Sequence, residues 1–312
     1  MAVFTEISPA RLERFLADYS LGAVEALTPI AEGTENTNYR LETAAGRYVL
    51  TVFERRTPAA ALPYVVALLR HLAAAGQPVP LPIAGDDGNA LKRLAGKPAL
   101  LVTFLPGRAV TDPSPAHCRA AGAALGRLHV AARTFSKHRE NSFGQDVWRS
   151  LAESCARAGG GSDVLDPVKE ALSQIERRWP QGVPRGACHT DLFPDNVFFQ
   201  DGHVSGLIDF YFASDELLAY DLAVCLVSWS FDRENRYRED RATEMIAGYE
   251  QARVLQAEER AALPLLCMGA AVRFTLTRLY DSLHPRPEAL VIEKDPAEFA
   301  ARIRHFRQQA GG

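Results

Sequence analysis

No block of five or six like charges runs anywhere along this chain of 312 residues, whose formal net charge is −3. That absence removes the electrostatic footprint of a nucleic-acid binder and the polybasic patch of a membrane-surface protein. Small, near-neutral partners fit better. Cysteine is also scarce: Cys118, Cys155, Cys188, Cys225 and Cys267 are odd in number, widely spaced and free of any C-x-x-C pair. Such a set supports neither a disulfide framework nor a zinc site, and it implies a reducing compartment. No apolar run of about 18 residues stands out. The opening MAVFTEISPARLERF carries acids early and lacks the apolar core of a leader. The reading is a cytoplasmic protein with neither membrane nor nucleic acid as a partner, and nothing in it specifies an oligomeric state. What is present is ordinary globular material, 47% hydrophobic and 23% charged, enough for two lobes or one large unit.

Two textures follow each other along the chain. Val24 to Phe104 reads as short β-type runs, ALTPIA, TNYRLET, RYVLTVFE and NALKRLAGKPALLVTFL. The polar stretch Glu32–Gly33–Thr34–Glu35–Asn36 separates the first two and Ala44–Ala45–Gly46 the next pair, which predicts an antiparallel meander. One helix interrupts it: Ala59 to Ala75 carries Leu62, Val65, Val66, Leu69 and Leu72 at spacings of three and four, and Gly76 ends it. A shorter helix starts with Ser8 as cap and Pro9 at the first position, and runs to Tyr19. Beyond Leu105–Pro106–Gly107 the pattern is helical, over 115–133, 164–178, 213–229, 239–249 and 258–283, with strand-like runs only at 196–200 and 203–209. Gly159–Gly160–Gly161 reads as a flexible surface loop. The expected architecture is α+β, with a small antiparallel β-rich lobe over residues 1–104 and a larger helical lobe over 105–312.

The densest chemistry lies in HTDLFPDN, residues 189–196, where Pro194 forbids a helix interior. The run Val197–Phe198–Phe199 follows, then Asp201–Gly202, then a second apolar run ending in Asp209. Two strands joined by a two-residue Asp-Gly turn return Asp209 to the same end as Asn196. Asp191, Asn196 and Asp209 therefore converge. One carboxylate can take a proton from a hydroxyl while an amide oxygen and a second carboxylate hold Mg²⁺, the set that phosphoryl transfer needs. From the residues alone the reading stops at a small-molecule phosphotransferase.

The chain resembles the aminoglycoside-phosphotransferase-like branch of the protein-kinase fold, through H-x-D-x4-N at 189–196, the Ile208–Asp209 pair and Tyr220–Asp221–Leu222–Ala223. Within that branch it is most similar to the bacterial homoserine kinases, in GTENTNY (33–39), YVLTVFE (48–54), HTDLFPDNVFF (189–199), GLIDFYF (206–212), LLAYDLA (217–223) and RFTLTRLYD (273–281). The resemblance implies a two-lobe protein-kinase-like fold, ATP and Mg²⁺, and L-homoserine as acceptor on the route to threonine. It makes Asp191 the catalytic base and Asn196 and Asp209 the metal ligands, with His189 orienting the loop and Asp221 bracing it. Gly33, Thr34, Asn36 and Asn38 take the place of a glycine-rich loop whose N–H groups approach phosphate oxygens, and Thr103, Phe104 and Leu105 meet the adenine edge.

Two departures from the family pattern stand out. The strand position that carries a lysine in kinases is Thr51 here, and the 59–75 helix has no glutamate to pair with one. Alternation places Thr51, Phe53 and Arg55 on one strand face, so Arg55 is the first candidate for the displaced phosphate contact, with Lys92 and Lys97 behind it. Val227 stands where homoserine kinases commonly show asparagine. For the acceptor's charged ends the candidates are Arg273, Arg278 and Asp195, with Tyr211, Phe212 and Trp229 as walls. A kinase for an aminoglycoside, choline or methylthioribose would share the triad, and a nucleotide-binding pseudokinase is the non-enzyme alternative.

Overall fold

The computed structural model describes residues 5–30, 36–54, 58–285 and 294–310. The described residues up to Pro106 form one compact unit, and those from Gly107 onward form a second.

In the first unit five antiparallel strands, β1 (Val24–Ile30), β2 (Thr37–Thr43), β3 (Gly46–Val52), β4 (Leu91–Leu94) and β5 (Lys97–Thr103), are ordered β1-β2-β3-β5-β4. This is not the simple meander expected. The helix between β3 and β4 carries the chain to the sheet edge, and β5 returns to pair with β3. That helix opens with a 3-10 turn at Ala59–Ala61 and continues as α2 (Leu62–Ala74). A two-residue turn links β4 to β5, and both its residues, Ala95 and Gly96, have positive φ, the geometry that matches strand twist. On one sheet face Tyr39, Leu41, Tyr48, Leu50, Val52 and Leu101 pack with Leu12, Phe15 and Leu16 of α1 (Pro9–Leu16). The alternation that sends Leu50 and Val52 to this core turns Thr51 to the opposite face, where it is still only 2% exposed.

The second unit contains, among the described residues, α3 (Pro115–Ala132), α4 (Gln145–Arg157), α5 (Ser162–Arg178), α6 (Leu218–Trp229), α7 (Glu239–Glu250), α8 (Ala257–Leu283) and α9 (Pro296–Ala310). Two of these, α4 and α9, were not expected, although Trp148, Ala152 and Cys155 and then Phe299, Ile303, Phe306 and Ala310 bury one stripe of each. The hairpin forms as expected from β7 (Val197–Gln200) and β8 (His203–Leu207), with a bulge after Phe198. Asp201 and Gly202 both have positive φ at its turn. A second pair was not foreseen: β6 (Arg185–Cys188) lies antiparallel to β9 (Ser214–Leu217), so the helix expected from Ala213 begins only at Leu218. The three glycines at 159–161 form a tight turn rather than a loose loop. Gly160 N–H caps α4 through Cys155 O, and a Cβ on Gly160 would lie 3.0 Å from that oxygen.

By length and mean hydropathy α8 could cross a membrane, although charged residues interrupt it, and 78% of its apolar window is buried within the protein. It is a core helix. It packs on α4, α5, α6 and α9.

Candidate active site

The segment 189–196 hangs between β6 and the hairpin, and its backbone is fixed from several sides. Ile208 N–H donates to Asn196 O at 3.0 Å, and Ile208 O accepts from His189 Nε2 at 2.8 Å. Asn196 Nδ2 donates to Asp191 O at 2.8 Å. These bonds bring Asp191, Asn196 and the residue before Asp209 together, as the hairpin argument requires. His189 Nδ1 accepts from Asp191 N–H at 3.2 Å, so both ring nitrogens are engaged. Burial holds the His189 pKa below its ordinary value, with Asp221 opposing that shift. The imidazole is neutral and orients the loop.

Thr190 and Asp209 both adopt left-handed backbone, at φ 62° and 65°, which a non-glycine residue holds only under constraint. For Thr190 the constraint is complete. Its N–H donates to Asp221 Oδ1 at 2.7 Å, its hydroxyl to Phe212 O at 2.9 Å, and its carbonyl accepts from Arg273. Asp221 Oδ2 also takes the His189 N–H at 2.7 Å. Burial would raise the Asp221 carboxyl, but the His129 hydrogen bond and nearby charge and backbone donors overcome it and hold the pKa low.

Behind Asp221 runs a buried chain that the sequence reading missed. Arg253 is bound to Glu259 and donates to Tyr249 Oη at 3.0 Å. Tyr249 Oη lies 2.8 Å from His129 Nδ1, and His129 Nε2 lies 3.0 Å from Asp221 Oδ2. With Arg253 donating to the phenol oxygen, the phenol proton goes to Nδ1 and the imidazole proton to Asp221. The chain requires α3 and α7 to touch closely. A Cβ on Gly122 or Gly248 would collide with a carbonyl of the other helix, and one on Gly126 would lie 2.6 Å from Tyr249 O. The sequence signal was available: His129 follows Gly122, Leu125 and Gly126 at helical spacing, on the buried face of α3. Cys188 lies near His129 and Asp221, but burial pushes its thiol well above the ordinary value, and its Sγ donates to Glu216 O. It is core.

Asp191 is half-buried. Desolvation raises its pKa, and Arg273, His189 and Lys294 oppose that shift. Asn196 has its Nδ2 engaged and its Oδ1 without a partner among the described residues, and an amide oxygen and a carboxylate, Asn196 and Asp209, are the hard donor types Mg²⁺ takes. Phe212 packs edge-on to Phe143. Trp229 is fully buried and donates to Leu192 O at 2.8 Å, a core role. Val227 is fully buried too, and its carbonyl accepts from Arg302. Arg278 is tied to Glu298 and to Asp295 O. Asp195 is exposed.

In the first unit Gly33, Thr34 and Arg55 lie outside the described residues. Thr51 donates to Asn38 Oδ1 at 2.8 Å across β2 and β3, and Asn36 Oδ1 accepts from Glu54 N–H. Lys97 is paired with Glu54, which also accepts from Thr5 and Thr37. Lys92 is held by Asp18 and Asp87. Of the three residues expected at adenine, Thr103 N–H donates to Leu81 O and Phe104 N–H to Arg47 O. The Leu105 N–H has no partner among the described residues.

Residues 26–255 match the phosphotransferase enzyme family. The chain belongs to that family. Homoserine kinases of Gluconobacter oxydans and Methylobacterium radiotolerans are each 46% identical to it, over 98% and 99% of this chain and 98% and 97% of theirs. Solved structures share its fold at low identity. An amicoumacin kinase aligns with a TM-score of 0.71 at 18% identity, over 97% of this chain and 93% of its own. A microcompartment-associated aminopropanol kinase reaches 0.73 at 16%, over 97% and 99%. The fold of this chain is therefore the kinase-like α+β one.

Proposed function

We propose that this chain is a cytoplasmic homoserine kinase, which moves the γ-phosphoryl group of ATP to the hydroxyl of L-homoserine and so serves threonine biosynthesis. The observation that carries this reading is near-full-length identity of 46% with curated homoserine kinases. Residues 1–104 serve as the nucleotide lobe and 105–312 as the catalytic and acceptor lobe.

The hydroxyl oxygen attacks the γ-phosphorus, the bond to the bridging oxygen of ADP breaks, and the hydroxyl proton passes to Asp191. Asp191 suits the role because its carboxylate is half-buried, carries a raised pKa and sits on a fixed backbone. Asn196 Oδ1 and the Asp209 carboxylate would hold Mg²⁺, which supplies charge neutralisation on the phosphates. On the nucleotide side, the unpaired Leu105 N–H is the donor suited to the adenine edge. Gly33, Thr34, Asn36 and Asn38 line the phosphate loop, with Asn38 held by Thr51. Because Lys92 and Lys97 are already bound to carboxylates, Arg55 is the better candidate for the phosphate-side cation.

The test is ADP release across a panel of acceptors. L-homoserine should give the highest kcat/KM, with kanamycin, choline and methylthioribose near background. A preference for any of those three overturns the acceptor, and ATP binding without transfer to any hydroxyl overturns the enzyme.

A further inference from the structure

The buried arginines of the second unit differ in one respect. Arg241 pairs with Asp112 at 2.6 Å and Arg302 with Glu298, as half-buried Arg253 does with Glu259 at 2.8 Å. Arg273 is 3% exposed, yet among the described residues no carboxylate, Asp191 included, lies within ion-pair distance of it. Its guanidinium donates to Thr190 O and lies 4.7 Å from the Phe274 ring centre, 5.7 Å from that of Phe143 and 6.0 Å from that of Phe212. Its Nε is buried with no hydrogen-bond partner, and the Tyr220 phenol oxygen, likewise unpaired, lies close enough to feel its charge.

A cation stripped of water is costly without an anion. Aromatic faces offset part of that cost, and a buried donor without an acceptor calls for one. The guanidinium holds the carbonyl of Thr190, the neighbour of Asp191, and its charge acts on the Asp191 carboxylate, where the acceptor hydroxyl must come. An amino-acid acceptor brings a carboxylate to that place, and a guanidinium matches a carboxylate in charge and fork geometry. Arg278 cannot serve, since Glu298 already holds it.

We propose that Arg273 is the counter-ion for the carboxylate of the amino-acid acceptor, and so selects hydroxylated amino acids over amino alcohols. This rests on the reading of the chain as a homoserine kinase. The discriminating pair of acceptors is L-homoserine and 3-aminopropan-1-ol, which keeps the hydroxyl and amine and lacks the carboxylate. Wild type should prefer L-homoserine by about 10²-fold or more in kcat/KM, since a site built to pair a charge rejects the analogue without it. Arg273→Met should raise the KM for L-homoserine by about 10²-fold and Arg273→Lys by about tenfold. Because Arg273 also holds Thr190 O, kcat should fall alike on both acceptors, while the KM for ATP stays as in wild type and the rise in KM is confined to L-homoserine. If the methionine variant does not fold, Arg273→Lys and calorimetric binding of L-homoserine carry the comparison. Equal losses on both acceptors with KM unchanged would mean that Arg273 only props Thr190, and would overturn the proposal. A rise confined to the KM for ATP would overturn it as well. A wild type that phosphorylates neither acceptor would overturn the activity and this inference together, whereas a homoserine preference that persists without Arg273 overturns this inference alone.

Discussion

The two units use their polar side chains in different ways. In the second, side chains bind the backbone of one loop: Asp221 takes two of its N–H groups, His189 joins Asp191 N to Ile208 O, Asn196 holds Asp191 O, and Arg273 holds Thr190 O. In the first, side chains chiefly bind one another, Thr51 to Asn38 and Glu54 to Thr5, Thr37 and Lys97. The first arrangement fixes φ and ψ where chemistry is proposed, and it holds Thr190 in its left-handed backbone. The second ties strands together and fixes no strained backbone. Damage to the loop should therefore appear in turnover, and damage to the strand cluster in stability.

The largest effect should come from Asp191→Asn, which removes the proposed proton acceptor. Turnover should fall roughly 10² to 10⁴-fold with ATP binding nearly intact. The melting temperature should move the other way. A raised folded-state pKa means that the ionised carboxylate is disfavoured in the native protein, so wild type loses stability as pH rises from the ordinary 3.8 through the folded value. The variant should melt higher at neutral pH and lose that advantage in acid. Normal turnover, or a lower melting temperature at pH 7, would contradict this account.

Tyr249→Phe should come next. It leaves His129 Nδ1 without its donor and loosens the Asp221 anchor at a distance. Turnover per folded molecule should fall about tenfold, with KM for ATP unchanged, since a neutral buried bond is lost while substrate contacts remain. A lower melting temperature with unaltered turnover would reduce the chain from Arg253 to Asp221 to a packing element.

Thr51→Val should be mildest. It deletes the bond to Asn38, and denaturant titration should show a loss of about 1 kcal/mol with turnover within about twofold of wild type. A large rise in the KM for ATP would place the Thr51 hydroxyl at the nucleotide and erase the contrast between the units.

Local chemistry made much of this readable beforehand. The β7–β8 hairpin follows from Asp201–Gly202, because a two-residue turn of that kind selects one geometry, and the hairpin in turn brings Asn196 beside Ile208. The α2 stripe and Gly76 likewise act within a few residues of one another. The misses are of another kind. Four-residue β6 and β9 carry too little alternation to read, and Ser214–Asp215–Glu216 has poor strand propensity, so pairing across 26 or more residues decided their state. The passed-over helices α4 and α9 had readable stripes but were masked by charge.

The sequence by itself determined the spacing of Asp191, Asn196 and Asp209, the turn that brings them together, and the absence of a lysine at position 51. Those depend on chain connectivity and short-range sterics. Tertiary structure alone decided that His129 meets Asp221, 92 residues away, and that Tyr249 reaches His129 through glycines that let two helices touch. It also decided that Arg273, unlike Arg241 and Arg302, is buried with no carboxylate among the described residues within ion-pair distance. Whether a charge is paired depends on which distant residues the packed core places within about 4 Å, and no pattern along the chain encodes that distance.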